Sequence, residues 1–220
     1  MKYYAITLSL VFPLMILAAP DVLMERLYDE SSWRDVESTP EGIVIAEQEI
    51  EGIAVKAVKV SQVVDIDPEI LAQVIEDVGS YADFLQSSPG VESELLAKND
   101  EHIIALQYLN VPLISDRYYA FKMHRLDSTL SRITWELLPQ NELGTFSINE
   151  RSGVYIDVGV GSWSMYKQED GKYSVSYRLV MDPGGWIPDS VSDYFNRVSI
   201  VGIFKDALLE TDRRSSWNRG

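Results

Sequence analysis

The 220-residue sequence contains no cysteine and only two histidines. Without cysteine there is no disulfide, no thiolate nucleophile, no cysteine-type zinc site and no cysteine to carry a lipoprotein anchor. His102 and His124 both lie in strand-like segments without a neighbouring carboxylate motif. The sequence also has no nucleophile elbow and no phosphate-binding glycine loop. We therefore expect no catalytic residues, no metal site and no cofactor.

Basic residues are scarce as well: 19 Lys and Arg stand against 34 Asp and Glu, which gives a formal net charge of −15. Binding to phosphate backbones needs clustered Lys and Arg, so we expect no nucleic-acid partner. The same charge disfavours electrostatic docking of the protein on anionic lipid. Arg213, Arg214 and Arg219 leave a local basic patch open as an alternative, but we expect residues 211–220 to form a solvated tail.

The only long apolar run lies at the N-terminus. Residues 5–19 are almost wholly apolar, Lys2 precedes them, and small residues lead up to Pro20. This layout is typical of a secretory signal peptide, and the run is shorter than the roughly 20 residues of a membrane span. We expect residues 1–19 to be removed and the protein to be secreted, in the periplasm. An uncleaved membrane anchor is the alternative.

The remaining chain is long enough for one sizeable core, and 46% of all residues are apolar. A short helix begins the pattern, followed by two strands, a helix that starts at Asp67 and Pro68, and about six strands after Val91. The predicted buried face of the helix consists of Ile70, Leu71, Val74, Ile75 and Val78. We expect a single domain over residues 20–210.

The most informative segment is DPGGWIP at residues 182–188, which interrupts strand-like sequence and precedes an amphipathic helix. Proline fixes φ, glycine permits positive φ, and a second proline suits a first helical turn. Apolar residues follow at helical spacing: Val191, Tyr194, Phe195, Val198, Val201, Phe204 and Leu208. The pattern predicts an α+β fold in which a curved antiparallel β-sheet wraps around a long C-terminal α-helix.

Several motifs, in order, resemble those of the START domains, which bind lipids in a helix-grip fold. The resemblance covers nearly all of the chain after the leader. It is carried by Trp33 followed by EGIVI at 41–45, VPLISDRYY at 111–119, GSW at 161–163, VSYRL at 175–179 and DPGGWIP at 182–188. The resemblance implies a cavity between sheet and terminal helix that holds a hydrophobic ligand.

Three departures from the family pattern bear on the ligand. Tyr118 stands where an acidic residue usually follows the motif arginine, Arg117. Some sterol-binding relatives use a second arginine six positions later to reach the ligand's hydroxyl, and that position is Met123 here. An arginine often found early in the next strand corresponds roughly to Asp157. These differences imply a drier pocket than a sterol or phospholipid head-group site.

The resemblance assigns ligand contact to residues of the sheet, one loop and the terminal helix. They are Arg117, Tyr119, Phe121, Met123, Trp135, Phe146, Tyr177, Tyr194 and Val198. Phe146 belongs to a polar segment, residues 139–153, that lies over the cavity mouth in the resembled fold. We expect Phe146 to act as a lid that touches the donor membrane; packing back on its own domain is the alternative.

The expected function is non-catalytic binding and transfer of a hydrophobic lipid by a monomer that contacts membranes transiently. One alternative is an enzyme of the same superfamily, since cyclases and hydroxylases share the fold. Another is an envelope interaction module whose core is filled and which binds no ligand. An apolar cavity of several hundred Å³ would argue against the filled module. A polar, titratable cluster inside the cavity would favour the enzyme.

Overall fold

The computed structural model describes residues 19–88, 90–110, 114–126, 132–146, 152–184 and 199–217. These ranges contain four α-helices: α1 (Pro20–Tyr28), α2 (Pro68–Glu76), α3 (Tyr81–Phe84) and α4 (Ile200–Trp217). They contain ten strands: β1 (Arg34–Ser38), β2 (Val44–Gln48), β3 (Ala57–Val64), β4 (Val91–Lys98), β5 (Ile103–Leu109), β6 (Arg117–Arg125), β7 (Arg132–Leu137), β8 (Val154–Tyr155), β9 (Val158–Lys167) and β10 (Tyr173–Asp182). Short 3₁₀ segments lie at Glu30–Ser32, Val78–Ser80 and Gln140–Thr145.

All ten strands belong to one sheet, ordered β1-β2-β3-β10-β9-β7-β6-β5-β4. Neighbours along this path are antiparallel, and the short β8 pairs in parallel with β6 outside it. The sheet is curved and open, with β1 and β4 at its edges. The predicted α+β architecture, a curved sheet with a C-terminal helix, is confirmed.

Local signals account for α2. Asp67 caps it: its carboxylate accepts hydrogen bonds from the N–H groups of Glu69 at 2.9 Å and Ile70 at 3.4 Å. Pro68 occupies the first turn, where its missing N–H leaves no bond unmade. The buried residues are Leu71, Ala72, Val74, Ile75 and Val78, while Ile70 is half-buried. Strand β1 was not predicted from the sequence, because its residues, RDVES, are mostly polar and it lies at an exposed edge of the sheet.

Helices cover both faces of the sheet. On the outer face, α1 buries Leu23 and Leu27 against Val160 of β9 and Val180 of β10. Full burial of a leucine contributes roughly 1.5–3 kcal/mol, so these two contacts fix α1 to the sheet. On the inner face, α2 and α4 pack over the main core, where Phe204 of α4 is fully buried.

The C-terminus differs from the predicted solvated tail, because α4 continues to Trp217. Thr211, the first residue of that tail, is fully buried, and its hydroxyl donates to the carbonyl of Ala207 at 2.7 Å. The sequence did not indicate this buried helical face, because the segment is mostly polar.

Four residues from the first part of the predicted helix lie outside the described residues: Val191, Tyr194, Phe195 and Val198. The predicted leader does too, apart from Ala19. Across the described ranges, no helix combines the length and apolarity needed to cross a membrane.

Candidate functional site

A cavity of about 280 Å³ lies between the inner face of the sheet, α2, α4 and the segment from α3 to β4. Most of its wall is apolar. Six of the nine residues that the sequence assigns to ligand contact line it: Arg117, Tyr119, Phe121, Met123, Trp135 and Tyr177. The structure therefore brings these six side chains together around one space. Their role in binding stays a prediction.

The alternation of side chains along β6 sets one wall of the cavity. Arg117, Tyr119, Phe121 and Met123 occupy every second position and face inwards. From the first to the last is six residues, or about 20 Å of extended strand. The paired residues on β5 run from Leu109 opposite Arg117 to Ile103 opposite Met123. The wall is thus charged at one end and apolar at the other.

Aromatic rings on β9 and β10 form another part of the cavity wall. Trp163 of β9 stacks on Tyr177 of β10 with 4.3 Å between ring centroids, and on Phe204 of α4 with 5.8 Å. Gly161 faces Trp135 across β7 and β9, and a Cβ at this glycine would collide with the indole ring. Such packing holds the aromatic wall in one arrangement. The sequence motif GSW contained Trp163, but only the register revealed that its ring lines the cavity.

Among the described residues that line the cavity, Arg117 is the one that carries a charge, and it is 2% exposed. Its guanidinium donates to the backbone carbonyl of Ser115, and to those of Pro183 and Gly184 at 3.4 Å each. Burial lowers the pKa of Arg117, and the charge of Asp116 opposes this shift. A guanidinium remains protonated in proteins, so the cavity wall carries a positive charge.

A short polar chain lies beside Arg117. The hydroxyl of Tyr119 donates to the side-chain carbonyl of Gln107, whose amide donates to the Ser93 hydroxyl at 3.0 Å. The sequence missed Gln107, because only the β5–β6 register places it opposite Tyr119. Burial raises the pKa of Tyr119 and of Tyr177 far above the ordinary tyrosine value. Both hydroxyls are therefore neutral at physiological pH.

Phe146 does not line this cavity. It lies on the outer face of the sheet beside Lys122 and Glu136, around a separate depression. The reason is Leu143 in the preceding 3₁₀ segment, which packs into an outer-face cluster with Leu106. The expected placement of Phe146 over the cavity mouth is therefore corrected. Three further residues lie outside the described residues: Ile148 of the same segment, and the predicted ligand contacts Tyr194 and Val198 of the terminal helix.

Neither histidine lines the cavity. The side chain of His102 lies 3.5 Å from the amide of Asn99 in the turn between β4 and β5. His124 alternates with Met123 on β6 and so faces away from the cavity. Within the described ranges, no three acidic or histidine side chains are grouped so that they could hold a metal ion.

Comparison with known proteins finds similarity at the level of structure. No family model matches the sequence, and no curated protein matches it. A solved StAR-related lipid transfer protein from Xanthomonas axonopodis matches with a TM-score of 0.65 and 18% identity, covering 80% of this chain and 96% of its own. Human STARD10 matches with a TM-score of 0.71 and 14% identity, covering 91% of this chain and 81% of its own.

A third similar structure is the Zhui aromatase/cyclase from Streptomyces sp. R1128. Its TM-score is 0.52 at 14% identity, with 72% of this chain and 94% of its own covered. The Xanthomonas axonopodis protein and human STARD10 have the higher TM-scores, 0.65 and 0.71. The chain therefore has the helix-grip fold of START domains.

Proposed function

We propose that the protein binds a hydrophobic lipid in the cavity and transfers it between membranes without chemical change. The observation that supports this most directly is the apolar cavity between the sheet and α4, walled by Phe121, Met123 and Trp163. A filled interaction module would have no such space. The Xanthomonas axonopodis structure with the same fold is named as a StAR-related lipid transfer protein, which agrees with the proposal.

Burial of the ligand provides the affinity. Removing apolar surface from water contributes roughly 25 cal/mol per Å², so a bound hydrocarbon chain needs few polar contacts. Pockets for small ligands are mostly apolar, with a small number of polar groups that fix orientation. Arg117, Tyr119 and Gln107 are the polar groups that would orient the lipid here.

An enzyme is the second candidate, because an aromatase/cyclase has the same fold and polar side chains line one end of the cavity. General acid–base catalysis works best with a pKa near the operating pH. Burial raises the pKa of Tyr119 and Tyr177 away from that range, so both phenols stay protonated and are weak proton donors. The difference between these pKa values and the operating pH favours a lipid carrier over an enzyme.

The place of action that we propose is the periplasm, after removal of residues 1–19. The supporting observation is the short apolar run ahead of Pro20, which starts α1. Leu23 and Leu27 lie in the core, so the folded domain needs the chain from Pro20 onwards. N-terminal sequencing of protein from the envelope fraction should find a start near Pro20. An intact Met1 with retention in the membrane would show an anchored protein.

Lipid extraction tests the binding function. The full chain would be purified from its native envelope without detergent, and co-purifying lipids would be identified by mass spectrometry. We expect one lipid class at a near-stoichiometric ratio, unchanged by incubation with the protein. Absence of any bound lipid, together with failure to take up lipid from vesicles, would contradict the carrier. Conversion of the lipid to a product would establish the enzyme instead.

A further inference from the structure

The guanidinium of Arg117 forms no ion pair with a carboxylate of the described residues, although the charge of the adjacent Asp116 acts on it. The two arginines buried there are Arg117 and Arg178. The guanidinium of Arg178 lies 2.6 Å from the carboxylate of Glu30. The guanidinium of Arg117 reaches only backbone carbonyls, and the neighbouring Asp116 carboxylate accepts the hydroxyl of Tyr108 at 2.6 Å.

A buried charge without a counter-charge is costly, and natural proteins pair such groups. Carbonyl dipoles satisfy some donors of Arg117, but two of the three bonds are long, at 3.4 Å. A guanidinium has five N–H donors in a planar fork that suits carboxylate and phosphate oxygens. Because Arg117 lines the cavity, an anionic group of a ligand can supply the missing counter-charge.

The position of Arg117 defines how such a ligand would lie. Arg117 begins β6 at the end of the cavity where Pro183 and Gly184 follow β10. Asn110, whose side chain can donate hydrogen bonds, lines the same cavity directly after β5. Beyond Tyr119 the inward side chains of β6 are apolar as far as Met123. A head group at Arg117 therefore leaves a tail about 20 Å of strand as far as Met123, of which about 13 Å beyond Tyr119 is apolar.

The volume favours a ligand with one chain. About 280 Å³ lies just below the range of roughly 300–1,000 Å³ that is common for small-molecule sites. The space is long because its polar and apolar ends are separated by six residues of strand. A single extended hydrocarbon chain fills such a space better than two chains side by side.

We propose that Arg117 binds the carboxylate or phosphate head group of a single-chain lipid whose tail lies along β6 towards Met123. The inference rests on the proposed lipid-binding function and narrows it to an anionic amphiphile. The head group lies at the Arg117 end and the tail at the Met123 end. Carboxylate and phosphate share the chemistry that the arginine recognises, and the experiment separates them.

A head-group series tests the inference. The delipidated full chain would be titrated with dodecanoate, dodecyl phosphate and dodecanol at about pH 8, where a carboxylate is ionised. Binding would be followed by the fluorescence of Trp135 and Trp163, which line the cavity. We expect at least one anion to bind at least about tenfold more tightly than the alcohol of the same chain length. The tighter of the two anions identifies the head group.

Two variants assign the preference to Arg117. In Arg117→Gln the anion should lose its advantage while the affinity for dodecanol stays within about threefold, which also shows that the variant is folded. Arg117→Lys keeps the charge and should retain most of the preference. If Arg117→Gln does not fold, the wild-type series still decides, and retention of the anion preference in a folded Arg117→Lys supports recognition by the positive charge at this position.

The outcomes separate this inference from the proposed function. Equal binding of dodecanol and both anions overturns the head-group site and leaves lipid binding intact. An anion preference that persists in Arg117→Gln also overturns it. Failure of all three amphiphiles to bind overturns both the inference and the proposed function.

Discussion

The carboxylate of Asp206 on α4 accepts a hydrogen bond from the backbone N–H of Ser87, with 2.8 Å between Oδ2 and N. Asp206 is buried, and Gly202, one turn earlier, leaves the space that the Ser87 side chain occupies. A carboxylate bound to a backbone N–H is among the stronger hydrogen bonds of proteins. The terminal helix is thus held to the segment after α3, and both elements line the cavity.

Gly202→Ala should destabilise the protein, although alanine favours a helix by about 1 kcal/mol over glycine. The added Cβ would collide with the Cβ of Ser87 and lie 3.0 Å from its Oγ. Overpacking costs about 1–3 kcal/mol, so we expect a net loss of about 1 kcal/mol in the free energy of unfolding. Urea denaturation measures it, with Gly79→Ala as the control, since a Cβ there meets no atom within 4 Å. If Gly202→Ala were more stable than wild type, the close contact between Gly202 and Ser87 would be contradicted.

Glu210→Gln should remove a pH-dependent part of the stability. Hydrogen bonds from Arg213, with further bonds from Arg214, lower the pKa of Glu210 to about 2. A lowered pKa stabilises the fold above the ordinary value of 4.5, and this stability is lost as pH falls towards 2. The full shift corresponds to at most about 3 kcal/mol. We expect about 2 kcal/mol at pH 7, because Arg213 is largely exposed and solvent screens it.

The measurement is urea denaturation of wild type and Glu210→Gln at several pH values. The difference in the free energy of unfolding should be largest near neutral pH and should shrink between pH 4.5 and 2. Glu51→Gln, at an exposed turn, is the matched control. A difference that is constant across this pH range would mean that Glu210 acts through packing alone. Arg214 also binds Asp77 at 2.8 Å, so this cluster ties α4 to the end of α2.

Local patterns made much of this fold predictable. The start of α2 is determined locally, by Asp67 as the cap and Pro68 in the first turn. Strand alternation alone places Arg117 and Met123 on one face of β6. The order of motifs then indicates a sheet that wraps around a terminal helix. The start of α2 and the face of β6 depend on neighbouring residues, so one sequence suffices to predict them. The sheet that wraps around a terminal helix was predicted from the order of the motifs and their resemblance to START domains.

The parts that could not be predicted depend on long-range register. Gln107 meets Tyr119 only because β5 and β6 pair as they do. Phe146 lies on the outer face because Leu143, three residues earlier, packs there. The polar sequence of this loop does not indicate that packing. The contact between Asp206 and Ser87 joins residues 119 positions apart. Such contacts are decided by packing of the whole domain.

Met123→Glu should abolish lipid uptake. Met123 is 3% exposed and lines the apolar end of the cavity, where an unpaired carboxylate is costly and repels a hydrocarbon chain. Uptake from vesicles would be measured together with circular dichroism, because unfolding is the competing result. His124→Glu, one residue later on the opposite face, is the matched control and should bind as wild type. A folded Met123→Glu that takes up lipid normally would place the binding face elsewhere.

Asp206→Ala should speed lipid transfer if α4 must leave the sheet before a ligand enters or exits. Loss of a hydrogen bond to a charged group costs about 1.5–3 kcal/mol. If opening breaks the contact with Ser87, the opening rate should rise by about tenfold.

The assay follows the transfer of a fluorescent fatty acid between phosphatidylcholine vesicles. The control is Asp212→Ala, which changes an exposed residue on the same helix. Unfolding measurements must show that Asp206→Ala remains folded at the assay temperature. An unchanged rate in a folded but less stable variant would exclude this contact from the gating step.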